Sequence, residues 1–353
     1  MLSDNGELLG VTQLINAQDE DGSIIPFRPE YELLVGAITS QAAISITNMR
    51  YSEQITGLLD SLVGALSAAI DERTPYNANH TRSMALYASR FLHWLDDTGH
   101  PWRFTQEKRR TFLLAVWLHD VGKLAVPLEV MDKDTRLGSA VDGVMQRLRT
   151  VSLLDRISLL EGRITQAEYS SRQGFLNEAR EDVTRINTAG LLRDSDIDTV
   201  RRLASFTYVD EDGVRRPLLT PSETECLTIR KGTLTERERS VMESHVTVTA
   251  RILGRVIFPK MYSQVPKWAA SHHEYLSGRG YPDHLKGDDI PPEVRLLAIL
   301  DVFDALTARD RPYKQPMPPS GALGVLKDMA SDGDIDSDIL SLFEESKAWE
   351  EIV

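Results

Sequence analysis

Apolar positions along the chain change rhythm three times. Leu9 to Ala17 (LGVTQLINA) reads as a strand, and a turn-rich stretch with Asp19, Asp21, Gly22, Pro26 and Pro29 follows it. Helical spacing begins near Pro29 or Glu30, with Leu33, Leu34, Ala37 and Ile38 apolar, and continues through Arg50. One strand and one helix cannot bury a core of their own, so this stretch reads as the end of a larger module. Beyond it Ile55, Leu59, Leu62, Leu66 and Ala69 alternate spacings of four and three, the pattern of an a/d seam. Two heptads are fewer than such seams usually run. The segment 51–71 therefore reads either as a helix packed on its own core or as a parallel dimer stalk.

From Glu72 onward the pattern is helical. His80 starts a stripe with Met84, Tyr87, Phe91 and Leu95, and Phe112, Leu113, Val116 and Trp117 lead into His119 and Asp120. A third helix opens with Thr235 and Glu238 as a capping box, and its stripe runs Val241, His245, Val248, Ile252 and Val256. On a fourth, Leu297, Asp301, Asp304 and Ala308 share one face. Between these helices, residues 134–228 hold long amphipathic stretches (Val144, Leu148, Val151, Leu154 and Ile157, then Phe175, Ala179, Val183 and Ile186). A hairpin-like piece follows, FTYVDEDGVRRPLL, turning at Asp212 and Gly213. No histidine occurs between Asp120 and His245, so this region reads as an insertion without metal ligands. The expected fold is mainly α, a helical bundle with a helical insertion, preceded by a strand–helix remnant and a linker helix.

Five of the eight histidines (His80, His119, His245, His272 and His273) fall where a helix should bury them, whereas His93, His100 and His284 read as surface or loop residues. Asp120, Asp301 and Asp304 lie in apolar surroundings, and an unpaired buried carboxylate is costly, so each needs a cation, a donor or a metal. Five His with two or three Asp converging in one bundle meet that need together as ligands of two divalent metals. Neighbouring helical residues point ~100° apart, so His119 can serve one metal while Asp120 reaches between two. Lys123 lies four residues beyond His119 and three beyond Asp120, on the same face. It suits a substrate phosphate, or alternatively a plain ion pair with Asp120.

Composition narrows the chemistry further. A net charge of −13 argues against binding a nucleic-acid polymer, yet leaves room for a small phosphorylated substrate held by local cations. No apolar run reaches the ~18–20 residues of a membrane span, and Met1 to Gly10 lacks the pattern of a secretory signal. With Cys226 the single cysteine, an intrachain disulfide framework is excluded, and the chain is expected in the cytoplasm.

Several segments carry a family resemblance. WLHDVGK resembles the HD signature of metal-dependent phosphohydrolases. HHEYLSGRGYP and DVFDALTARDRPYK resemble two motifs of the HD-GYP subfamily, and NANHTRSMALYASR and MESHV supply its remaining ligand-bearing blocks in order. The resemblance covers about residues 72–353 apart from the insertion. It implies a binuclear metal centre that hydrolyses cyclic di-GMP to pGpG, GMP or both. Carried onto this chain, one metal takes His80, His119, Asp120 and Asp301; the other shares Asp120 and takes His245, His272 and His273. Mixed imidazole and carboxylate donors without thiolate suit iron or manganese. Lys123, Asp304, Arg311 and Lys314 are the implied substrate contacts, with Arg311 and Lys314 on a second phosphate. Gly278, Gly280, Tyr281 and Pro282 form the implied recognition loop. GELLGVTQLIN and ITSQAAISITNMR resemble the last strand and closing helix of a GAF sensory domain, over residues 1–50. Two departures stand out: Tyr76 occupies the place where some members carry a glutamate for a third metal, and the insertion splits the domain. A homodimer is expected, with the GYP loop or the insertion open to a protein partner. The competing readings are a non-catalytic cyclic-dinucleotide receptor and an HD hydrolase of another cyclic dinucleotide.

Overall fold

The computed structural model describes residues 1–2, 6–73, 79–308 and 316–350; Tyr76, Arg311 and Lys314 lie outside them. The chain divides into two compact units, residues 1–66 and 67–353.

In the first unit the expected strand over residues 9–17 does not form. Among the described residues this unit has only isolated bridges, Leu2 with Leu8 and Gln18 with Ile24. A strand persists only when a neighbour accepts its ladder, and here none runs alongside; Val11 and Ile15 stand exposed instead. Helix α1 (Pro29–Asp71) is one uninterrupted helix of 43 residues that runs on through Arg50, as the spacing predicts. Most of its seam faces solvent: Ile55 is 69% exposed, Leu62 54% and Leu66 45%, with Leu59 half-buried, while Val63, Ser67 and Ile70 are buried.

The second unit is helical. Its frame contains α2 (His80–Asp97), α3 (Gln106–Leu118), a 3-10 turn at Val121–Ala125 and the short α4 (Leu128–Met131). After a long excursion it resumes with α9 (Glu236–Leu253), α10 (Val265–Ala270), α11 (Pro292–Thr307), α12 (Pro319–Ser331) and α13 (Ser337–Ser346). On α2, α3 and α11 the apolar stripes close this core, burying Met84, Phe91, Leu95, Phe112, Val116, Leu297 and Phe303. On α9 the expected stripe is half-buried apart from His245, and Val256 lies exposed beyond the helix end because α9 stops at Leu253. Thr235 and Glu238 form the capping box that starts α9.

The excursion holds α5 (Ala140–Leu160), α6 (Gln166–Thr188) and α7 (Asp194–Ser205), the antiparallel hairpin β1 (Thr207–Val209) and β2 (Arg215–Pro217), and α8 (Pro221–Leu227). These elements share one aliphatic core that includes Val144, Leu148, Leu176, Val183, Val200 and Leu203. At its neck the buried Arg136 side chain donates to the carbonyls of Ile186 (2.9 Å) and Ala189 on one side and of Ile229 (2.8 Å) on the returning chain. Among the described residues no helix is long and apolar enough to cross a membrane.

Candidate metal centre

Five elements deliver the candidate donors. His80 is the first residue of α2, His119 and Asp120 follow the last turn of α3, His245 lies in mid-α9, His272 and His273 follow α10, and Asp301 and Asp304 lie on α11. Three of the imidazoles are oriented by one device. The Nδ1–H of His119 donates to Val116 O, that of His245 to Met242 O and that of His272 to Ala269 O, each at 2.7 Å and three residues back. With Nδ1 so engaged, Nε2 presents its lone pair to the site. His80 is held differently: its Nδ1 meets Asp304 Oδ2 at 2.6 Å.

The His119–Asp120 pair does not sit inside a helix as the spacing argument assumed. Helix α3 ends at Leu118, and Asp120 (φ −100°, ψ 7°) turns the chain into the 3-10 segment. The cause is a close approach to α9. A Cβ on Gly122 would lie 1.9 Å from His245 O, so only glycine fits there. Gly122 N donates to Thr249 Oγ1 at 2.9 Å, and that hydroxyl donates to His119 O at 3.0 Å. Arg73 ties the same turn down by donating to the carbonyls of Lys123 and Val126. Gly122, Thr249 and Arg73 were not singled out from the sequence, although Thr249 stands one helical turn beyond His245 on the same face.

The turn aims the two oxygens of Asp120 at different neighbours. Oδ2 lies 3.2 Å from His119 Nε2 and 3.7 Å from His80 Nε2, whereas Oδ1 lies 3.5 Å from His245 Nε2 and 3.9 Å from His272 Nε2. Oδ1 is buried and has no hydrogen-bond partner. Asp301 spans the site from the other side, with Oδ1 at 3.3 Å from His80 Nε2 and Oδ2 at 3.7 Å from His273 Nδ1. Ligand atoms converge in three groups able to hold an ion: His80, His119 and Asp301; His245, His272 and His273; and His119, Asp120 and His272.

The protonation states suit metal binding. Burial opposes ionisation of Asp120, but His119 and Lys123 outweigh it and hold the carboxyl well below its usual range. Burial likewise opposes ionisation of Asp301 and is outweighed, chiefly by its hydrogen bond to His80. Burial pushes His272 well below the usual imidazole value, aided by His273 and His119, and lowers His245 against the pull of Asp120. It brings His273 down to about 4. His80 moves the other way: burial opposes its charging, but the hydrogen bonds it donates to Asp301 and Asp304 raise it to about 10. Ionised Asp120 and Asp301 beside lowered imidazoles at His245, His272 and His273 form a donor set suited to a divalent ion, and binding at His80 would displace its proton.

Other expected contacts are placed as follows. Lys123 Nζ lies 2.5 Å from Asp120 Oδ2, the ion-pair arrangement, and its side chain is one-fifth exposed at the rim. Asp304, implied as a substrate contact, is buried behind His80 with its carboxylate spent on that ring, a position suited to orienting a ligand. In the GYP loop Gly278 has φ +77°, and a Cβ on Gly280 would lie 2.4 Å from His273 O. Tyr281 N donates to His273 O at 3.1 Å, and the two rings lie 4.8 Å apart. Burial, with the charges of Glu243 and Asp301, drives the Tyr281 hydroxyl far above its usual pKa, so it stays protonated. His93 pairs with Asp97 at the surface and His284 is exposed, both away from the donor cluster.

Residues 218–339 match the HD domain family. The match takes in His245, His272, His273, Asp301 and Asp304; His80, His119 and Asp120 reach the same site from before the inserted helices. Among curated proteins, the chain is 47% identical over 88 residues to the 3'3'-cGAMP-specific phosphodiesterase 2 of Vibrio cholerae, covering 25% of this chain and 16% of that protein. It is 31% identical over 137 residues to the 3'3'-cGAMP-specific phosphodiesterase 3 of the same organism (39% and 27%). To a cyclic di-GMP phosphodiesterase of Thermotoga maritima it is 40% identical over 90 residues (26% and 24%). The chain thus spans about a quarter or less of the length of these relatives.

Proposed function

From the HD domain that this chain contains, we propose a metal-dependent phosphodiesterase of the HD-GYP type that opens a cyclic dinucleotide. The observation that carries the reading is Asp120, whose two oxygens face two imidazole groups and whose Oδ1 is buried without a partner. One divalent ion would be held by His80, His119, Asp120 and Asp301, and a second by His245, His272, His273 and again Asp120. Imidazole and carboxylate donors without thiolate favour iron or manganese.

When bound, such a pair of ions supplies Lewis acidity toward phosphate oxygens and a water acidic enough to ionise near neutrality. The chain's own groups do the rest. Backbone carbonyls and Asp304 hold the rings in place, the walls exclude bulk solvent, and Lys123 at the rim turns from Asp120 to a non-bridging phosphate oxygen. Arg311 and Lys314, which follow α11, would grip the second phosphate. With Tyr76 in place of an acidic ligand, two ions are expected rather than three. The relatives act on cyclic di-GMP or 3'3'-cGAMP, so both belong in the test. Anaerobically purified protein should carry two ions per chain and convert one or both to a linear dinucleotide or mononucleotides. A chain that binds cyclic dinucleotide without turnover would be a receptor instead.

The exposed seam of α1 supports a homodimer, since an a/d stripe left in solvent pairs best with a second copy of itself. Because Leu62 is half exposed, Leu62→Glu should dissociate the dimer in sedimentation while leaving the melting point of the monomer nearly unchanged. An unchanged dimer would end that proposal. The inserted helices, having their own core, are the proposed region for regulation or a protein partner.

A further inference from the structure

We propose that Glu274 is a positioning residue of this centre, seating the loop that carries Tyr281 on the His273 imidazole. The inference rests on the binuclear reading above and deepens it. Glu274 directly follows His273 yet points away from the donor cluster. It is 2% exposed. A carboxylate buried that deeply must be hydrogen-bonded, and both its oxygens are engaged: Oε1 accepts from Asp283 N at 2.6 Å and Oε2 from Leu285 N at 2.9 Å. These two amides lie just beyond Tyr281 and Pro282, so the carboxylate draws the far end of the loop back onto the dipeptide where it began.

The closure leaves no slack. Gly280 is pressed against His273 O and the Glu274 backbone, where a Cβ would find no room. Tyr281 N donates to His273 O, and its ring lies 4.8 Å from the imidazole at an interplanar angle of 38°. This matters because His273 is the imidazole left without a strap. His119, His245 and His272 each have Nδ1 fastened to a carbonyl three residues back, and His80 has Asp304. No such strap reaches the His273 ring among the described residues; around it stand Asp301 Oδ2 at 3.7 Å, the His272 and His245 rings at 4.0 and 5.1 Å, which belong to the donor cluster itself, and the Tyr281 ring, the one aromatic neighbour from outside it. Its side chain is also more open than the other four, at 21% exposed. The loop takes over the role that a carbonyl plays elsewhere, and Glu274 fixes the loop.

The test is a calorimetric titration of metal-free protein with Mn²⁺, which needs no substrate. Wild type should take up two ions. Glu274→Gln keeps the shape but turns one acceptor into a donor facing an amide N–H. It should weaken one of the two ions by roughly 10–100-fold, the usual cost of losing an outer-shell partner, and leave the other unchanged. Tyr281→Leu retains the Glu274 clamp but removes the ring, and should weaken the same single ion. It decides the matter if Glu274→Gln fails to fold. Two ions bound at wild-type affinity in either variant would overturn the inference. Wild-type protein that takes up no Mn²⁺ would instead overturn the binuclear reading on which it rests. A loss spread equally over both ions would mark Glu274 as a general structural residue and also overturn it.

Discussion

The metal-centre helices and the inserted helices are both compact, but they bury different things. The inserted elements close over an aliphatic core, Val144, Leu148, Leu176, Val183 and Val200, with Arg136 at the neck satisfying carbonyls. The centre instead buries His80, His119, Asp120, His245, His272 and Asp304. Burying ionisable groups costs stability unless each is paired; the insertion leaves Asp155 Oδ2 without a hydrogen bond, but in the centre Asp120 Oδ1 goes without one amid a cluster of buried imidazoles and carboxylates. The difference teaches where each region's stability originates: apolar area dominates the insertion, whereas the centre, on the proposed binuclear reading, would gain its full stability on binding an ion.

The largest expected effect falls on the centre alone. Asp120→Ala removes the carboxylate whose two oxygens lie between His80 and His119 on one side and His245 and His272 on the other. It should abolish most metal uptake and bring phosphodiesterase activity to background, while far-UV circular dichroism shows the helices intact. A variant that still carries two ions per chain would sink the assignment.

A second substitution probes the other side. Leu148 is fully buried in the inserted core, so Leu148→Ala should cost ~2–5 kcal/mol locally, as for other buried leucines. Hydrogen exchange should quicken in α5 and α6, with Mn²⁺ affinity unchanged. If metal binding falls in step, the two regions are one cooperative unit and the contrast between them is wrong.

The smallest effect is a pH dependence of the metal-free protein. His273 titrates near 4 in the fold, and His245 and His272 are also lowered. The unfolded chain binds protons near 6.5 that these residues refuse, so their contribution is present above about pH 6.5 and is lost as pH falls through the folded values. His80 works in reverse: raised to about 10, it contributes below about 6.5 and loses that contribution as pH rises through 10. Between pH 7 and 5 the centre should therefore loosen first. The segment 134–228 contains no histidine, and its buried Asp155, whose pKa burial raises, is favoured as pH falls, so its exchange should not quicken beyond the ordinary chemical pH dependence. Equal destabilisation of both regions would remove the electrostatic half of the comparison.

Residue type and spacing, read together with the HD-GYP resemblance, were enough to nominate the candidate donors. His80, His119, Asp120, His245, His272, His273 and Asp301 stand out because buried imidazoles and carboxylates on apolar stripes violate the usual segregation of charge, and that violation is visible in one dimension. The capping box at Thr235 and the hairpin turn at Asp212 and Gly213 were likewise local, since caps and turns are decided by residues three or four apart. The strand expected over residues 9–17 failed because a strand is a contract with a neighbour, and no periodicity reveals whether that neighbour exists. The same reason hid the supporting groups. Gly122 is required by a carbonyl 123 positions away on α9, and Asp304 is committed to a ring on α2. Thr249 bridges two elements separated by the whole insertion. Local pattern determined which side chains could do chemistry; long-range packing decided which way each one points, because orientation is set by hydrogen bonds between elements that only the folded chain brings together.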